Sequence, residues 1–291
     1  MIVTLTMNPA LDRTVELADV LEPGEVQSAL SVREDPGGKG VNVARVLRAA
    51  GHPVTAVLPL AHADPYRVAL GDLPVRTVPI TAHARVNLTL TDPYGETTKI
   101  NLAGSVLTRD HQARLIDAVV VTADGADWLV MSGSLPPGVA ADFYVDVALA
   151  VRSRAKRPPR IAVDTSGRAL AEAVASGGVD LIKPNEEELA GLLSELDLAS
   201  VAELVPAQVR AVLLTRGGEG ATLIDASGEH HADAPRIEVR STVGAGDSSL
   251  AGYLLADVAG LPPAERVATA IRYGSATAAL PGTRLAELPF G

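Results

Sequence analysis

The strongest chemical signal in the sequence is a glycine-rich turn near the C-terminus that leads into an apolar helical pattern. The turn, TVGAGD, spans Thr242–Asp247, and the helical pattern begins at Leu250. Glycines let backbone N–H groups face a ligand, and a helix N-terminus adds positive dipole character, so this turn can bind an anion. Asp247 can then accept a proton from an attacking hydroxyl, or it can simply cap the helix, and the segment alone favours neither role. The candidate anion hole comprises Gly244, Ala245 and Gly246.

A run of acidic residues opens a second predicted helix. The chain reads LIKPNEEEL over 181–189, where Asn185 can cap the helix and the glutamates suit its first turn. Amide and carboxylate oxygens are also ligands that Mg²⁺ takes in proteins, directly or through water. Asn185 and Glu188 are therefore candidate magnesium ligands, and capping accounts for the same pattern.

Two further loops follow predicted strands. Residues 212–223, VLLTRGGEGATL, lack the G-x-G-x-x-G spacing of a dinucleotide-binding turn, and they suit either a hairpin or a loop that contacts a nucleotide. Residues 132–139, SGSLPPGV, come where open α/β sheets place their ligand-binding loops. Neither loop alone assigns a function.

A Gly-Gly-Lys-Gly turn at 37–40 precedes another predicted helix and resembles a phosphate-binding loop. A Walker A loop would need glycine at position 33 and a hydroxyl residue at position 40, where this chain has Arg33 and Gly40. The spacing therefore argues against a P-loop nucleotidase. Lys39 can still neutralise a phosphate beside glycine N–H groups, or it can be an ordinary solvated lysine.

Composition argues against several classes of function. The chain has 291 residues, 47% of them hydrophobic, and a formal net charge of −10, without the cluster of positive charge that nucleic-acid binding requires. It has no cysteine, which excludes disulfides, thiol catalysis and cysteine-ligated metals. No apolar stretch is long enough to cross a membrane, and the N-terminus reads as a buried strand rather than a signal peptide, so we expect a cytoplasmic protein.

Short apolar runs alternate with helical patterns along most of the chain. This alternation predicts an α/β fold, doubly wound, with a mainly parallel sheet and helices on both faces. The predicted strands are Ile2–Thr6, Val54–Leu58, Trp128–Ser132, Ile161–Asp164, Leu181–Lys183 and Val212–Thr215. The predicted helices are Val41–Ala50, Ala141–Arg154, Glu186–Ser194 and Ala202–Val205.

Two segments break this rhythm, because their apolar residues alternate as in strands with one solvent-exposed face. One is 13–34, with a turn at Pro23-Gly24, and the other is 85–102, with a turn at 92–95. We interpret both as antiparallel strands of a small β-lid inserted into the main domain. The predicted domains are 1–12, 36–84 and 103–291 for the main domain, and 13–35 and 85–102 for the lid.

In their order along the chain, the motifs resemble those of the ribokinase-like carbohydrate kinases, in particular the hexose-phosphate branch of 1-phosphofructokinase and tagatose-6-phosphate kinase. The resemblance spans nearly the whole chain and rests on MNPALDRTV, PGGKGVNVARVLRAAG, ARVNLTL, SGSLPPGV, VDTSGRAL, IKPNEEEL and STVGAGDS. It implies ATP-dependent phosphorylation of a sugar phosphate, with Asp247 as the base and Gly244–Asp247 as the anion hole. It also implies a lid that closes over the sugar and excludes water, and through which family members often form homodimers.

The resemblance further assigns binding roles to individual residues. ATP and Mg²⁺ would involve Asn185, Glu188, Thr215, Gly217 and Gly220. The sugar hydroxyls would be held by Asp12, with Gly38, Lys39 and Asn42 beside it. The substrate's existing phosphate would be approached by Lys39, Arg85 and Asn87.

The chain departs from the family pattern at three places. The glycine-rich G-x-D-x-x-G segment expected after the strand at 54–58 is missing, and a shorter stretch, PLAHADPYRVALGDL, takes its place. The C-terminal stretch PGTRLAELPFG is short. Position 241 is Ser where members with a monovalent-cation site carry Asp, so potassium dependence is not predicted.

The leading hypothesis is a kinase that converts fructose 1-phosphate to fructose 1,6-bisphosphate. The grouping of Lys39 with Arg85 and Asn87 favours an acceptor that already carries a phosphate. Tagatose 6-phosphate and fructose 6-phosphate are alternative acceptors that the sequence does not separate. A non-catalytic sugar-phosphate binder on the same scaffold is a further hypothesis.

Overall fold

The chain folds into a large sheet with helices on both faces and a separate small sheet. The structure, a computed structural model, describes residues 1–290. The strands are β1 Ile2–Thr6, β2 Ala10–Leu17, β3 Ala29–Gly37, β4 Val54–Pro59, β5 Val75–Val78, β6 Arg85–Thr91, β7 Thr97–Asn101, β8 Trp128–Ser132, β9 Arg160–Asp164, β10 Val179–Ile182, β11 Val209–Thr215, β12 Ala221–Asp225 and β13 Gly228–Ala232. The α-helices are α1 Lys39–Ala49, α2 Tyr66–Ala69, α3 Arg109–Ala123, α4 Phe143–Arg154, α5 Gly167–Ala175, α6 Glu186–Glu195, α7 Val201–Leu204, α8 Ala245–Val258 and α9 Pro263–Ala278. Within residues 1–290, none of these helices combines the length and apolar character needed to cross a bilayer.

The large sheet has nine strands in the order β13-β12-β11-β10-β9-β8-β1-β4-β5. Neighbours from β11 to β5 pair in parallel, while β12 and β13 extend one edge as antiparallel strands. From β1 the chain adds β4 and β5 on one side, and later β8 to β11 on the other. In open α/β sheets, the crevice at such a reversal, beyond the carboxyl ends of the strands, binds ligands.

The central strands bury both of their faces. Ile2 and Val130 pack with residues of α1, α8 and α9 on one face. Val3 and Met131 pack with residues of α3 to α6 on the other. Because both faces are covered, these strands read as continuous apolar runs rather than alternating ones. The predicted doubly wound α/β architecture is confirmed.

The six predicted strands and four predicted helices are present, with changes of up to three residues at their ends. The sequence patterns do not predict α2, α3, α5 or α9. The β-branched residues, which are consecutive at 119–122 in α3 and scattered through α9, lower intrinsic helix propensity, so packing against the sheet decides the conformation of these two helices. Residues 212–223 form a hairpin, in which β11 and β12 pair around a single 3₁₀ turn at Gly217–Glu219, and their contact with a nucleotide stays a prediction.

The small sheet has four strands in the order β3-β2-β6-β7. Strands β2 and β3 pair antiparallel, as do β6 and β7, but β2 and β6 pair in parallel. The interpretation of these segments as purely antiparallel is therefore wrong at this central pair. Strands β2 and β6 follow β1 and β5, which run in the same direction in the large sheet. The assignment of this sheet as a lid, and the domain boundaries, stay predictions.

The two faces of the small sheet differ in character, because successive side chains of a strand point to opposite faces. One face carries Asp12, Thr14, Thr89 and Lys99. This polar face borders a cavity of about 620 Å³ that the loops at 240–243 and 281–284 close from the other side. The opposite face carries Val15, Val32, Leu88, Leu90 and Ile100.

A buried carboxylate joins four elements of the large domain. Asp257, near the end of α8, accepts a hydrogen bond from Trp128 Nε1 at 2.8 Å and has a side chain only 1% exposed. Its oxygens also pair with Arg160 of β9 at 2.5 Å and with Arg266 of α9 at 2.8 Å. The Arg160 guanidinium lies over the Trp128 ring at 4.3 Å. The buried charge is therefore fully compensated by its partners.

Replacing Asp257 with Asn should lower the free energy of unfolding by about 3 kcal/mol, because two guanidinium groups lose their buried countercharge. Urea unfolding followed by circular dichroism measures this loss. The matched control is Asp72→Asn, which removes the exposed ion pair with Arg48 and should cost under about 1 kcal/mol. Equal losses in the two variants would contradict a structural role for the Asp257 network.

Candidate active site

The glycine-rich turn ends at the first residues of α8, which surround a buried carboxylate. Gly244 is the N-cap residue, with φ of 76°, and no side chain caps this helix end. Asp247 lies in the first turn, where its Oδ2 accepts a hydrogen bond from Asn42 Nδ2 at 2.8 Å. Asp247 therefore does not act as a capping residue. The N–H groups that open the helix have no capping side chain in competition with an anion.

The electrostatic environment makes Asp247 a stronger base than an ordinary carboxylate. Burial raises the pKa of Asp247 to about 6, and the negative charge of Asp164 adds to the effect. Lys39, the Asn42 hydrogen bond and Lys183 oppose this increase. A carboxyl group with a pKa of about 6 is mostly ionised at pH 7 and accepts a proton more readily than one with a pKa near 4.

A second buried carboxylate, Asp164 at the end of β9, lies between two lysines. Lys39 Nζ donates to its Oδ1 at 2.9 Å, and Lys183 Nζ lies 3.5 Å from its Oδ2. Burial acts to raise the pKa of Asp164, but the two ammonium groups outweigh it and hold the pKa below its usual range. Burial acts to lower the pKa of Lys39, and the charges of Asp164 and Asp247 reverse this and raise it. Two ammonium groups are thus fixed beside the anion hole.

Next to these groups lies a cleft of about 430 Å³ that passes from Lys39 to the C-terminal helices. It brings together the predicted residues Lys39, Asn185, Glu188, Thr215, Gly217, Gly220, Gly244, Ala245, Gly246 and Asp247. Apolar side chains form another part of the wall, from Ile237, Val239, Ile271 and Ala278. The phosphates of a nucleotide require a polar end beside an anion hole, and its heterocyclic ring requires an apolar end.

Asn185 and Glu188 form a reciprocal capping box at the start of α6. Asn185 Oδ1 accepts from the Glu188 N–H at 2.8 Å, and Glu188 Oε2 accepts from the Asn185 N–H at 2.9 Å. Within residues 1–290, no three acidic or histidine side chains converge as a protein-only metal cage. Mg²⁺ in kinases is held mainly by one or two carboxylates, water and substrate phosphates, so Glu188 beside the anion cleft fits such an ion.

The predicted acceptor residues form a separate cluster at the base of the small sheet. Asp12 Oδ1 accepts from Asn87 Nδ2 at 2.8 Å across the paired strands β2 and β6. Burial raises the pKa of Asp12, against the Asn87 hydrogen bond and the charge of Arg85. Gly37 lies against the same carboxylate, since a Cβ there would be 2.0 Å from Asp12 Oδ2. Gly38 has φ of 111°, in the region that favours glycine.

Lys39 and Asn42 connect this cluster with the base. Both lie in the first turn of α1, directly after the glycine loop, and they contact Asp164 and Asp247 respectively. Arg85 donates from Nη1 to the carbonyl oxygen of Leu102 at 2.8 Å. The grouping of Lys39 with Arg85 and Asn87 around the acceptor's phosphate stays a prediction.

Sequence reasoning does not single out Asp164, Lys183, Asn8 or Ser134. Asn8, after β1, donates from Nδ2 to Ser134 Oγ, after β8, at 3.2 Å. Asp164 ends β9, and Lys183 follows β10. All four lie where parallel strands reach their carboxyl ends, so a polar residue directly after a buried strand is the signal that identifies them.

A buried carboxylate beside an uncapped helix N-terminus, two ammonium groups and a cleft of nucleotide size is an arrangement suited to the transfer of a phosphoryl group to a hydroxyl. Comparison with known proteins gives the family. The chain belongs to the pfkB family of carbohydrate kinases, which it matches over residues 2–289.

The names of individual relatives indicate the class of molecule that accepts the phosphoryl group, which is a sugar phosphate. The chain is 36% identical to ATP-dependent 6-phosphofructokinase isozyme 2 of Mycobacterium tuberculosis, over 97% of this chain and 85% of that protein. It is 34% identical to 1-phosphofructokinase of Xanthomonas campestris pv. campestris, over 92% and 88%. Phosphofructokinase-2 of Escherichia coli, in complex with substrates and products, superimposes with a TM-score of 0.89 at 31% identity, over 98% and 94%. The ribokinase-like fold is confirmed, and the chain is a sugar-phosphate kinase.

The raised pKa of Asp247 predicts the pH dependence of turnover. Only the ionised carboxylate accepts a proton, so kcat/KM for the acceptor should fall as the pH decreases through about 6. Asn42→Ala removes a hydrogen bond that lowers the pKa of Asp247, and this half-point should move to higher pH. The pH profile of Asn101→Ala, an exposed amide of β7, serves as control. An unchanged half-point in Asn42→Ala would contradict Asp247 as the titrating base.

Proposed function

We propose that the protein transfers the γ-phosphoryl group of ATP to fructose 1-phosphate and forms fructose 1,6-bisphosphate. The observation that carries the proposal is the Asn42–Asp247 hydrogen bond, which joins the helix that follows the glycine loop at Asp12 to a carboxylate in the wall of the cleft. The similarity to 1-phosphofructokinase supports fructose 1-phosphate as acceptor. The similarity to 6-phosphofructokinase isozyme 2 makes fructose 6-phosphate the second candidate.

In this reaction Asp12 and Asn87 orient the sugar, and Arg85 approaches its existing phosphate. The free hydroxyl gives its proton to Asp247 as its oxygen forms the new bond to the γ-phosphorus of ATP, and the bond to the ADP oxygen breaks. The N–H groups of Gly244–Asp247 and the ammonium groups of Lys39 and Lys183 stabilise the charge on the transferring group. Mg²⁺, held by Glu188 and water, would neutralise charge on the phosphates.

The acceptor is tested with a coupled ADP-release assay on fructose 1-phosphate, fructose 6-phosphate, tagatose 6-phosphate, fructose and ribose. We expect the highest kcat/KM with fructose 1-phosphate, because binding energy from the existing phosphate orients the reacting hydroxyl. A higher value with free fructose would overturn the proposal for a phosphorylated acceptor. A higher value with fructose 6-phosphate or tagatose 6-phosphate would replace the acceptor and leave the reaction class intact.

The Asp247→Asn variant separates a kinase from a sugar-phosphate binder. Loss of the general base should lower kcat by about a factor of 10² to 10⁴, while the Kd for the sugar phosphate changes little. Calorimetric titration of the variant and of the parent protein with fructose 1-phosphate measures that Kd. Binding without measurable turnover in the parent protein would favour the binder.

We also propose that two copies associate through the apolar face of the small sheet. Val32 and Ile100 on this face are 57% and 48% exposed, and Leu30 of the same edge strand is 71% exposed. Strand β3 is an edge strand, and an edge with apolar neighbours is a surface that pairs with another sheet. A second copy presents the same face, as a two-fold interface requires.

Introducing a charge into this face should separate the copies. Light scattering coupled to gel filtration should give a dimer for the parent chain and a monomer for Val32→Lys, because a buried unpaired ammonium is costly. The matched control is Val121→Lys on α3, where the side chain is 62% exposed outside the small sheet. A monomeric parent chain, or dimers in both variants, would contradict this interface.

A further inference from the structure

The segment between β4 and β5 buries two polar side chains that the proposed reaction does not use. Asp64 is 5% exposed, and Tyr66, the first residue of α2, is fully buried. This is the stretch PLAHADPYRVALGDL, which lacks the glycines expected from the resemblance. Polar groups are costly to bury unless they make hydrogen bonds, so their partners show what the segment holds in place.

Asp64 fixes the point at which β6 begins. Its Oδ2 accepts a hydrogen bond from the N–H of Ala84 at 2.7 Å, and its Oδ1 accepts one from the N–H of Tyr66 at 2.9 Å. Ala84 directly precedes Arg85, the first residue of β6. One carboxylate therefore ties α2 to the start of the strand that carries Arg85 and Asn87.

Tyr66 fixes the end of β3 in the same way. Its hydroxyl donates to the carbonyl oxygen of Gly37 at 2.6 Å. Burial raises the pKa of the Tyr66 phenol, so the hydroxyl stays protonated and remains a donor. Gly37 is the residue whose backbone lies against the Asp12 carboxylate. Tyr66 thus holds the first glycine of the GGKG turn at the acceptor cluster.

Strand β2, which carries Asp12, lies between β3 and β6. Tyr66 therefore holds the end of β3 and Asp64 holds the start of β6, and these two residues are only two positions apart in the chain. We infer that Asp64 and Tyr66 are positioning residues for the acceptor, which hold Gly37 and the start of β6 so that the Asp12 carboxylate keeps one orientation. The inference rests on the proposed role of Asp12 in binding the sugar.

Two conservative variants test this. Tyr66→Phe keeps the buried ring and removes the hydrogen bond to Gly37, and it should raise KM for the best acceptor of the panel roughly five- to tenfold. Asp64→Asn places an amide group against a backbone N–H and should raise the KM for the acceptor further. KM for ATP should change less than about twofold in both, since the nucleotide cleft has no contact with either residue.

The matched control is Tyr253→Phe. Tyr253 is 3% exposed and lies beside Asp257 and Arg266, away from both clusters. Tyr253→Phe should lose as much thermal stability as Tyr66→Phe and keep the parent's KM for ATP and for the acceptor. If Tyr66→Phe also lowers only the melting temperature, or raises both KM values equally, the positioning role is wrong.

Hydrogen exchange makes the inference independent of the reaction. Peptides that cover 36–42 and 84–88 should exchange faster in Tyr66→Phe and Asp64→Asn than in the parent, while the peptide with Gly244–Asp247 keeps its rate. Unchanged exchange in the first two peptides would overturn the inference. Faster exchange there, in a protein that phosphorylates no sugar phosphate, would instead overturn the proposed function and leave the positioning role intact.

Discussion

The proposed active centre depends on the contact of the buried Asp164 carboxylate with Lys39 and Lys183. Two ammonium groups without a countercharge would repel each other, and the fully buried Asp164 carboxylate would be costly without its two partners. With Asp247 included, the cluster has two positive and two negative charges. The lysines are therefore charged and ordered before any phosphate arrives, which is the condition for electrostatic stabilisation without reorganisation.

This cluster constrains the fold around it. Its members come from the first turn of α1, the end of β9, the segment after β10 and the first turn of α8, and the parallel sheet brings these points to one edge. The glycines permit the close approach. A Cβ at Gly246 would lie 3.1 Å from Lys183 Nζ, and a Cβ at Gly40 would lie 2.5 Å from Thr6 Oγ1. The glycine motifs are thus packing requirements of the site as much as anion-binding loops.

The sequence predicts the buried strands and the residues that line the cleft beside Asp247, because apolar runs and glycine turns are local signals. It does not predict the parallel pairing of β2 with β6, since strand direction there follows from where β1 and β5 end in the large sheet. It also misses Asp164 and Lys183. A charged residue at a strand end looks solvent-exposed in a sequence, and the ion pair joins positions that no periodic pattern connects.

The GGKG turn resembles a phosphate-binding loop, but its position in the fold says more about its role than this resemblance does. Strand β3 ends at Gly37, α1 begins at Lys39, and Gly38 with φ of 111° is the only residue between them. The strand that lies against Asp12 is therefore joined by one residue to the helix turn that supplies Lys39 to Asp164 and Asn42 to Asp247. The turn thus places the glycine that lies against Asp12 and the two residues that contact Asp164 and Asp247 within residues 37–42 of the chain.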